Sequence, residues 1–363
     1  MKKKKIIFSI PNFITAGSGR EMFNIVERLD LQEFDPFISV EHEGGNLYQE
    51  IRQKGYNILN LKHSVNQNSS RIEKLLSAIK IGIQYRKYKF DIWQSFHWSS
   101  NYYEPIIARI AGAKYIYVKK NMNWGKAWWL KSFLSNHIIA RNSSMMKKYF
   151  GVWPFLDKST FITGAVDLEK FKVQNVSIHY RSLFKSNEQT KIVTCIAQIL
   201  RIKNQLLLSK AIKEIPHIVL LLAGAERDSV YADEIRKFIH ENALESKVFL
   251  LGNVSNTVDL LNETDIFVLP TNTLNGHEEG CPVALLEAMA CGVTCIASNI
   301  AGNIDLISDG LNGYIFESDD IESLKLKINV ALLHPKTIQE KMNSHDLNLE
   351  SQKFQNLYLG MDA

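Results

Sequence analysis

Residues 266–299, IFVLPTNTLNGHEEGCPVALLEAMACGVTCIASN, carry the pattern that decides the fold. IFVLP is a short, unbroken apolar run of the kind shown by a strand buried on both faces. PVALLEAMACG reads as a helix closed by Gly292, with Pro282 as its first residue, where a missing N–H costs nothing. VTCIASN is a second apolar strand. Strand, helix and strand in that order predict a βαβ unit with its strands parallel. Two carboxylates stand out. Glu287 lies inside the apolar helix, where a charge is costly without a partner, and Glu279 precedes it by eight positions, before the Gly-Cys-Pro turn.

The same rhythm extends in both directions. KIVTCIAQIL, HIVLLLAG and KVFLLG read as strands between the helical patterns QLLLSKAIKEI, DEIRKFIHENAL and VDLLNETD. The first half repeats it: KIIFSIP, FDPFISVEH, FDIWQSF, KYIYVKK and HIIARN alternate with helical segments, and TAGSG reads as a glycine loop after the first strand. The expected fold class is therefore α/β, two Rossmann-like domains with parallel sheets facing across a cleft. Ligands of such sheets sit at the carboxyl ends of the strands. Polar residues thicken over 165–190, so the domains are expected at 1–170 and 171–340, with a C-terminal segment, 341–363, crossing back to the first.

The chain has 363 residues, 45% apolar and 22% charged, the balance of a globular protein. No run of 18 apolar residues is present, and IIFSI before Pro11 is too short for a signal-peptide core, so a cytoplasmic protein is expected. Cys195, Cys281, Cys291 and Cys295 have no His or further Cys at ligand spacing, and no metal site is expected. The net charge of +5 conceals two halves of opposite sign. Residues 1–170 hold 26 Lys/Arg against 14 Asp/Glu, and the remainder 17 against 24. All six tryptophans lie in the basic half, and Pro105 to Leu156 contains no acid at all. Nucleic acid is an unattractive partner, because the second half is acidic and no recognised binding motif is present.

The decisive stretch resembles the signature of family-4 retaining glycosyltransferases of the GT-B fold. The resemblance rests on Pro270-Thr271, Glu279-Gly280-Cys281-Pro282, the Glu279/Glu287 spacing and Glu287-Ala288-Met289-Ala290-Cys291-Gly292. The turn Ala301-Gly302-Asn303-Ile304-Asp305 stands where the family more often has Gly-Gly and Glu. The resemblance implies a nucleotide-diphosphate sugar as donor substrate, no cofactor, and a glycan or lipid-linked acceptor, in cell-surface polysaccharide or glycoconjugate synthesis. It implies that Glu287 holds the donor ribose and that Glu279 faces the transferred sugar. The backbone at Gly280, Cys281, Pro282 and Val283 would receive diphosphate or sugar oxygens, and Asn253 and Val254 would line the base pocket.

Lys203 fits the family's diphosphate-binding lysine. The arginine usual five residues before it is replaced by Gln198, and Arg201 is the nearest substitute. Gly17 and Gly19 would approach donor phosphate or acceptor, and His97, after QSF, would contact the donor sugar. Front-face attack without a metal, the leaving phosphate oxygen acting as base, completes what the resemblance implies. Lys119 and Lys120 end a strand and are candidates for the acceptor side. Trp124, Trp128 and Trp129, in NWGKAWWLKSFL, suit either an anionic membrane surface at the inner face of the membrane or a helix packed inside the domain. A nucleotide-sugar epimerase or phosphorylase on the same fold, and a non-catalytic sugar-nucleotide or membrane-surface binding subunit, are the alternatives.

Overall fold

The structure is a computed structural model that describes residues 2–14, 16–184, 189–273, 280–336 and 340–361. The chain forms two compact units, Met1–Thr163 with Leu347–Ala363, and Gly164–Asp346.

The first unit holds a seven-stranded sheet of β1 (Lys4–Ile10), β2 (Phe34–Val40), β3 (Asn57–Asn60), β4 (Ile92–Ser95), β5 (Lys114–Lys119), β6 (His137–Ala140) and β7 (Ser159–Phe161). The order is β3-β2-β1-β4-β5-β6-β7, every pair parallel. Its helices are α1 (Ala16–Glu27), α2 (Asn46–Gln53), α3 (Arg71–Arg86), α4 (Tyr103–Ala111), α5 (Lys126–Leu134) and the short α6 (Ser143–Met145). Ser70 opens α3 with a full capping box, its hydroxyl accepting from Glu73 N–H while the Glu73 carboxylate accepts from Ser70 N–H.

The second unit is a six-stranded parallel sheet ordered β10-β9-β8-β11-β12-β13. Its strands are β8 (Lys191–Ile196), β9 (Ile218–Ala223), β10 (Val248–Gly252), β11 (Ile266–Leu269), β12 (Thr294–Ser298) and β13 (Tyr314–Phe316). The helices are α7 (Gln205–Lys213), α8 (Ser229–Glu241), α9 (Thr257–Asn262), α10 (Val283–Ala290), α11 (Ala301–Ile304) and α12 (Ile321–Leu333). All six residues of β9 are buried, as an unbroken apolar run requires.

The last helix, α13 (Leu347–Leu359), belongs to the first unit. Phe354 and Tyr358 are fully buried in that unit's core, Tyr358 edge-on to both Phe8 and Phe34. Lys4 Nζ donates to the carbonyls of Tyr358 and Leu359 at 2.9 and 3.0 Å, placing a cation on the helix's negative end.

Three local expectations change. The glycines of TAGSG are not in a loop, because α1 starts at Ala16. Pro282 is the N-cap residue and α10 begins at Val283. Two short strands, β3 and β7, form where the polar composition of NILN and STF gave no apolar run.

Each sheet has a switch point, where the strand order reverses. It lies between β1 and β4 in the first unit and between β8 and β11 in the second. Crevices at such points are where open α/β sheets bind ligands. In the first unit Phe96 N–H donates to the Ser9 carbonyl at 2.9 Å, so the chain enters His97 directly at the switch point. In the second, Asn272 N–H donates to the Ile202 carbonyl at 2.9 Å, joining the loops that follow β8 and β11.

Candidate functional site

In the second unit the crevice loops are fixed by steric and polar constraints. Gly224, after β9, has φ +153°, and a Cβ there would meet the Ala197 carbonyl oxygen at 1.9 Å, so only glycine lets these two loops approach. Asp319 Oδ1 accepts from Asn204 Nδ2 at 2.7 Å and from Asn272 Nδ2 at 3.1 Å, tying together the loops after β8, β11 and β13. Ser298 Oγ donates to the Thr271 carbonyl, and Asn303 Nδ2 donates to the Ser298 carbonyl at 2.9 Å.

Glu287 lies on α10, five residues beyond Pro282, or roughly 7–8 Å along the axis. Its carboxylate is half-buried and makes no hydrogen bond or ion pair among the described residues. Burial pushes its pKa up to about 7, against a weaker downward pull from Lys170. A carboxylate held this way is suited to accept hydrogen bonds from a ligand. Gly280 and Pro282 are buried and Cys281 and Val283 half-buried at the helix entrance. Glu279 lies outside the described residues.

Lys203 is half-buried in the 3₁₀ turn Arg201–Lys203 after β8. The Arg201 guanidinium is engaged elsewhere: it pairs with Glu234 of α8 at 2.5 Å and lies 5.0 Å from the Tyr231 ring centroid. Asn253 is exposed and Val254 half-buried in the loop after β10, Val254 packing against the cluster of Tyr180, Val219 and Leu260.

Sequence reasoning did not single out the orphaned polar atoms here. Thr271 Oγ1, Asn303 Oδ1, Gln205 Oε1 and Ser318 Oγ are buried and without a hydrogen-bond partner among the described residues. Each lies in or beside a loop at the carboxyl ends of the sheet, and buried polar groups are ordinarily satisfied. Among the described residues no group of three or more His, Cys, Asp or Glu stands where it could hold a metal ion.

In the first unit the site is a buried charge network. Glu104, at the start of α4, is fully buried. Its carboxylate accepts from His97 Nδ1–H, from Tyr115 Oη at 2.5 Å, from Ser95 Oγ at 2.9 Å and from Lys131 Nζ at 3.2 Å. Burial pushes the Glu104 carboxyl up, but the charges of Lys131 and His97 and these hydrogen bonds outweigh it and hold it well below the usual carboxylate range. A signal for Glu104 was present in the sequence: it is the sole Asp or Glu between Asp91 and Asp157.

The lysines at the end of β5 are neither solvated nor alike. Lys119 is fully buried, donates to the Asn121 carbonyl at 2.5 Å and Oδ1 at 2.9 Å, and lies 3.7 Å from the Trp128 ring centroid. Burial, and the neighbouring Lys131 charge, bring its pKa down to about 6. Lys120 pairs with Glu21 at 2.7 Å. Trp128 is buried and Trp124 stacks on Tyr149 at 4.5 Å, whereas Trp129 is exposed and stacks on Phe133 at 5.1 Å. Gly17 is exposed in the first turn of α1. Gly19 is buried, and a Cβ there would meet Phe13 at 2.8 Å, so its smallness serves helix packing. No helix among the described residues is long and apolar enough to cross a membrane.

Comparison with known proteins places this geometry in a class. Residues 179–345, which make up most of the second unit, match the family Glycosyl transferases group 1. Over 174 residues the chain is 29% identical to the UDP-Gal:alpha-D-GlcNAc-diphosphoundecaprenol alpha-1,3-galactosyltransferase of Escherichia coli, covering 46% of this chain and 43% of that protein. It is also 29% identical over 207 residues to the N,N'-diacetylbacillosaminyl-diphospho-undecaprenol alpha-1,3-N-acetylgalactosaminyltransferase of Campylobacter jejuni, covering 53% and 52%. The chain thus spans about half the length of these curated relatives.

Among solved structures, a glycosyltransferase from Rickettsia africae superposes with a TM-score of 0.84 at 20% identity, covering 99% of both chains. Anabaena Alr3699/HepE in complex with UDP and glucose superposes at 0.81 and 15% identity, covering 99% of this chain and all of that one. The fold is GT-B.

Proposed function

We propose that the protein is a retaining, metal-independent glycosyltransferase that moves a sugar from a nucleoside-diphosphate donor to a lipid-linked or glycan acceptor. The observation that carries this reading is Glu287, a half-buried carboxylate with no partner among the described residues, on the helix that enters the switch-point crevice of the second unit. Its two oxygens suit the vicinal hydroxyls of a ribose. The α10 entrance beside Pro282 and Val283 turns the positive end of the helix toward a diphosphate.

The chemical problem is departure of the nucleoside diphosphate from the anomeric carbon. Negative charge grows on the diphosphate oxygens, so the cation of Lys203 and the α10 amides lower the barrier by meeting that charge as it forms. In this reading Glu279 faces the transferred sugar. His97, whose ring is held by Glu104, is the first unit's candidate for contact with a sugar. The acceptor lies on the basic first unit, and the two undecaprenol-linked relatives support a lipid diphosphate as its carrier.

The test is calorimetric titration with UDP and GDP, together with a transfer assay on polyprenyl-diphosphate sugars. Glu287→Ala is expected to weaken nucleotide binding about 30-fold or more. Glu279→Ala is expected to remove transfer and leave nucleotide binding largely intact. Wild-type turnover in both variants overturns the assignment.

A further inference from the structure

α3 carries apolar side chains on two faces. Ala78, Ile81, Gly82 and Tyr85 form the buried one. A Cβ on Gly82 would stand 2.6 Å from Ile110 Cβ, so the missing side chain lets α3 lie close against the neighbouring chain at α4. The second apolar face is Ile72, Leu75, Leu76, Ile79 and Ile83, with exposures from 38% at Ile79 to 72% at Ile72. At about 100° per residue these five fall within an arc of about 100°, roughly 120° round the helix from the buried face. Isolated exposed apolar residues need no explanation, but an ordered stripe three turns long does.

Charge says what covers it. From Arg71 to Lys89 the chain has six basic residues (Arg71, Lys74, Lys80, Arg86, Lys87 and Lys89) against Glu73 alone. None of the six forms an ion pair among the described residues. By the same helical geometry Lys80 and Lys87 border the exposed stripe on one side, Arg71 lies beyond its other edge, and Arg86 falls within it at the C-terminal end. A second copy of the chain would bring two such cationic faces together, which like-charge repulsion opposes. We infer that the outer face of α3 docks on an anionic lipid bilayer, its Ile and Leu side chains entering the headgroup boundary and its Lys and Arg side chains meeting lipid phosphates. An apolar stripe bordered by cations is the pattern of a helix that lies in a membrane interface. Sequence reading looked for this role in Trp124, Trp128 and Trp129, two of which the fold packs inward. The biological sense of the surface rests on the proposed lipid-linked acceptor; the stripe itself does not.

The experiment is flotation with vesicles of phosphatidylcholine alone and with about one third phosphatidylglycerol, with no sugar donor present. Wild-type protein is expected to float with the anionic vesicles and much less with the neutral ones, and to be released by about 0.5 M salt. Ile72→Ser/Leu76→Ser/Ile83→Ser is expected to lower partitioning about tenfold or more, as loss of three inserted side chains requires. Its circular dichroism and melting should match wild type, because all three positions are exposed. Lys80→Glu/Lys87→Glu is expected to lower binding to the anionic vesicles alone. Absence of flotation, or equal flotation of wild type and the triple serine variant, overturns the inference. So does a dimer in sedimentation equilibrium that the triple variant dissolves, which would make the stripe a self-association surface. Flotation without sugar transfer would sink the transferase reading and leave this one standing; transfer without flotation would do the reverse.

Discussion

Glu104 and Lys131 form an ion pair at 3.2 Å with both side chains at most 1% exposed, and the same carboxylate holds the imidazole of His97. The residue expected to touch the donor sugar is therefore oriented by a charge that is itself buried and compensated. Such pairs add little net stability, but removing one partner leaves the other charge uncompensated. Because a carboxylate only accepts, His97 is fixed with its proton on Nδ1.

Glu104→Ala is accordingly expected to lose about 3–5 kcal/mol in urea unfolding at pH 7, and Glu104→Gln/Lys131→Met to recover most of that loss. The pH dependence has a definite sign. Glu104 is held below its unfolded carboxylate value, so its contribution is complete above that value and fades as the pH falls beneath it. The double variant should lose stability less steeply in acid than wild type. Equal acid limbs would place the stabilisation elsewhere.

Glu287 gives the opposite sign. Its pKa of about 7 lies above the unfolded carboxylate value, so the unliganded protein gains stability from it at low pH and loses that gain as the pH rises through 7. A ribose-binding carboxylate must be ionised, so nucleoside-diphosphate affinity is expected to weaken as the pH falls from 8 to 6, with proton release on binding near pH 7. Two hydrogen bonds to a charged acceptor are worth about 2–4 kcal/mol after desolvation, so Glu287→Ala should weaken binding about 30- to 1000-fold. Titration calorimetry in buffers of different ionisation enthalpy reads both effects.

Lys203 and Arg201 are two positions apart, yet the structure gives them different surroundings. The Arg201 guanidinium is spent on Glu234 and Tyr231 along α8. Lys203→Ala is expected to reduce nucleoside-diphosphate affinity at least about tenfold, as loss of a phosphate-binding cation does. Arg201→Ala is expected to change it less than about threefold, since an exposed pair contributes little. Equal losses in the two variants would mean that Arg201 leaves Glu234 when the donor binds.

The unequal surroundings of these residues show what the sequence carried and what it did not. Unbroken apolar runs such as Ile218–Ala223 announce strands of a parallel sheet, because no alternation survives when both faces are covered. The helix holding Glu287 is equally plain, since a carboxylate inside VALLEAMA has few structural uses. β3 and β7 were illegible because their residues are mostly half-buried or exposed and carry no apolar period. The Glu104 network was illegible for another reason. His97, Tyr115 and Lys131 lie 7, 11 and 27 residues from it, and only the strand order brings them to one carboxylate. Lys119 stood in the sequence as an acceptor-side candidate at a strand end, and the aromatic ring of Trp128 that covers it comes from the following helix.

That burial makes Lys119 the clearest single-residue test of the first unit. Its pKa of about 6 lies far below the unfolded lysine value of 10.5, so over the intervening range the unfolded chain binds a proton that the folded protein does not. Stability from this group must therefore rise with pH above 6, by up to about 1.4 kcal/mol per unit. Lys119→Met keeps the length and the contact with Trp128 but cannot titrate. It is expected to be neutral or stabilising in guanidinium unfolding at pH 6.5. Between pH 6.5 and 8.5 it should gain about 1–3 kcal/mol less than wild type does. Matching gains in the two proteins would mean that Lys119 keeps its proton against the ring, as a cation–π contact rather than a neutral amine.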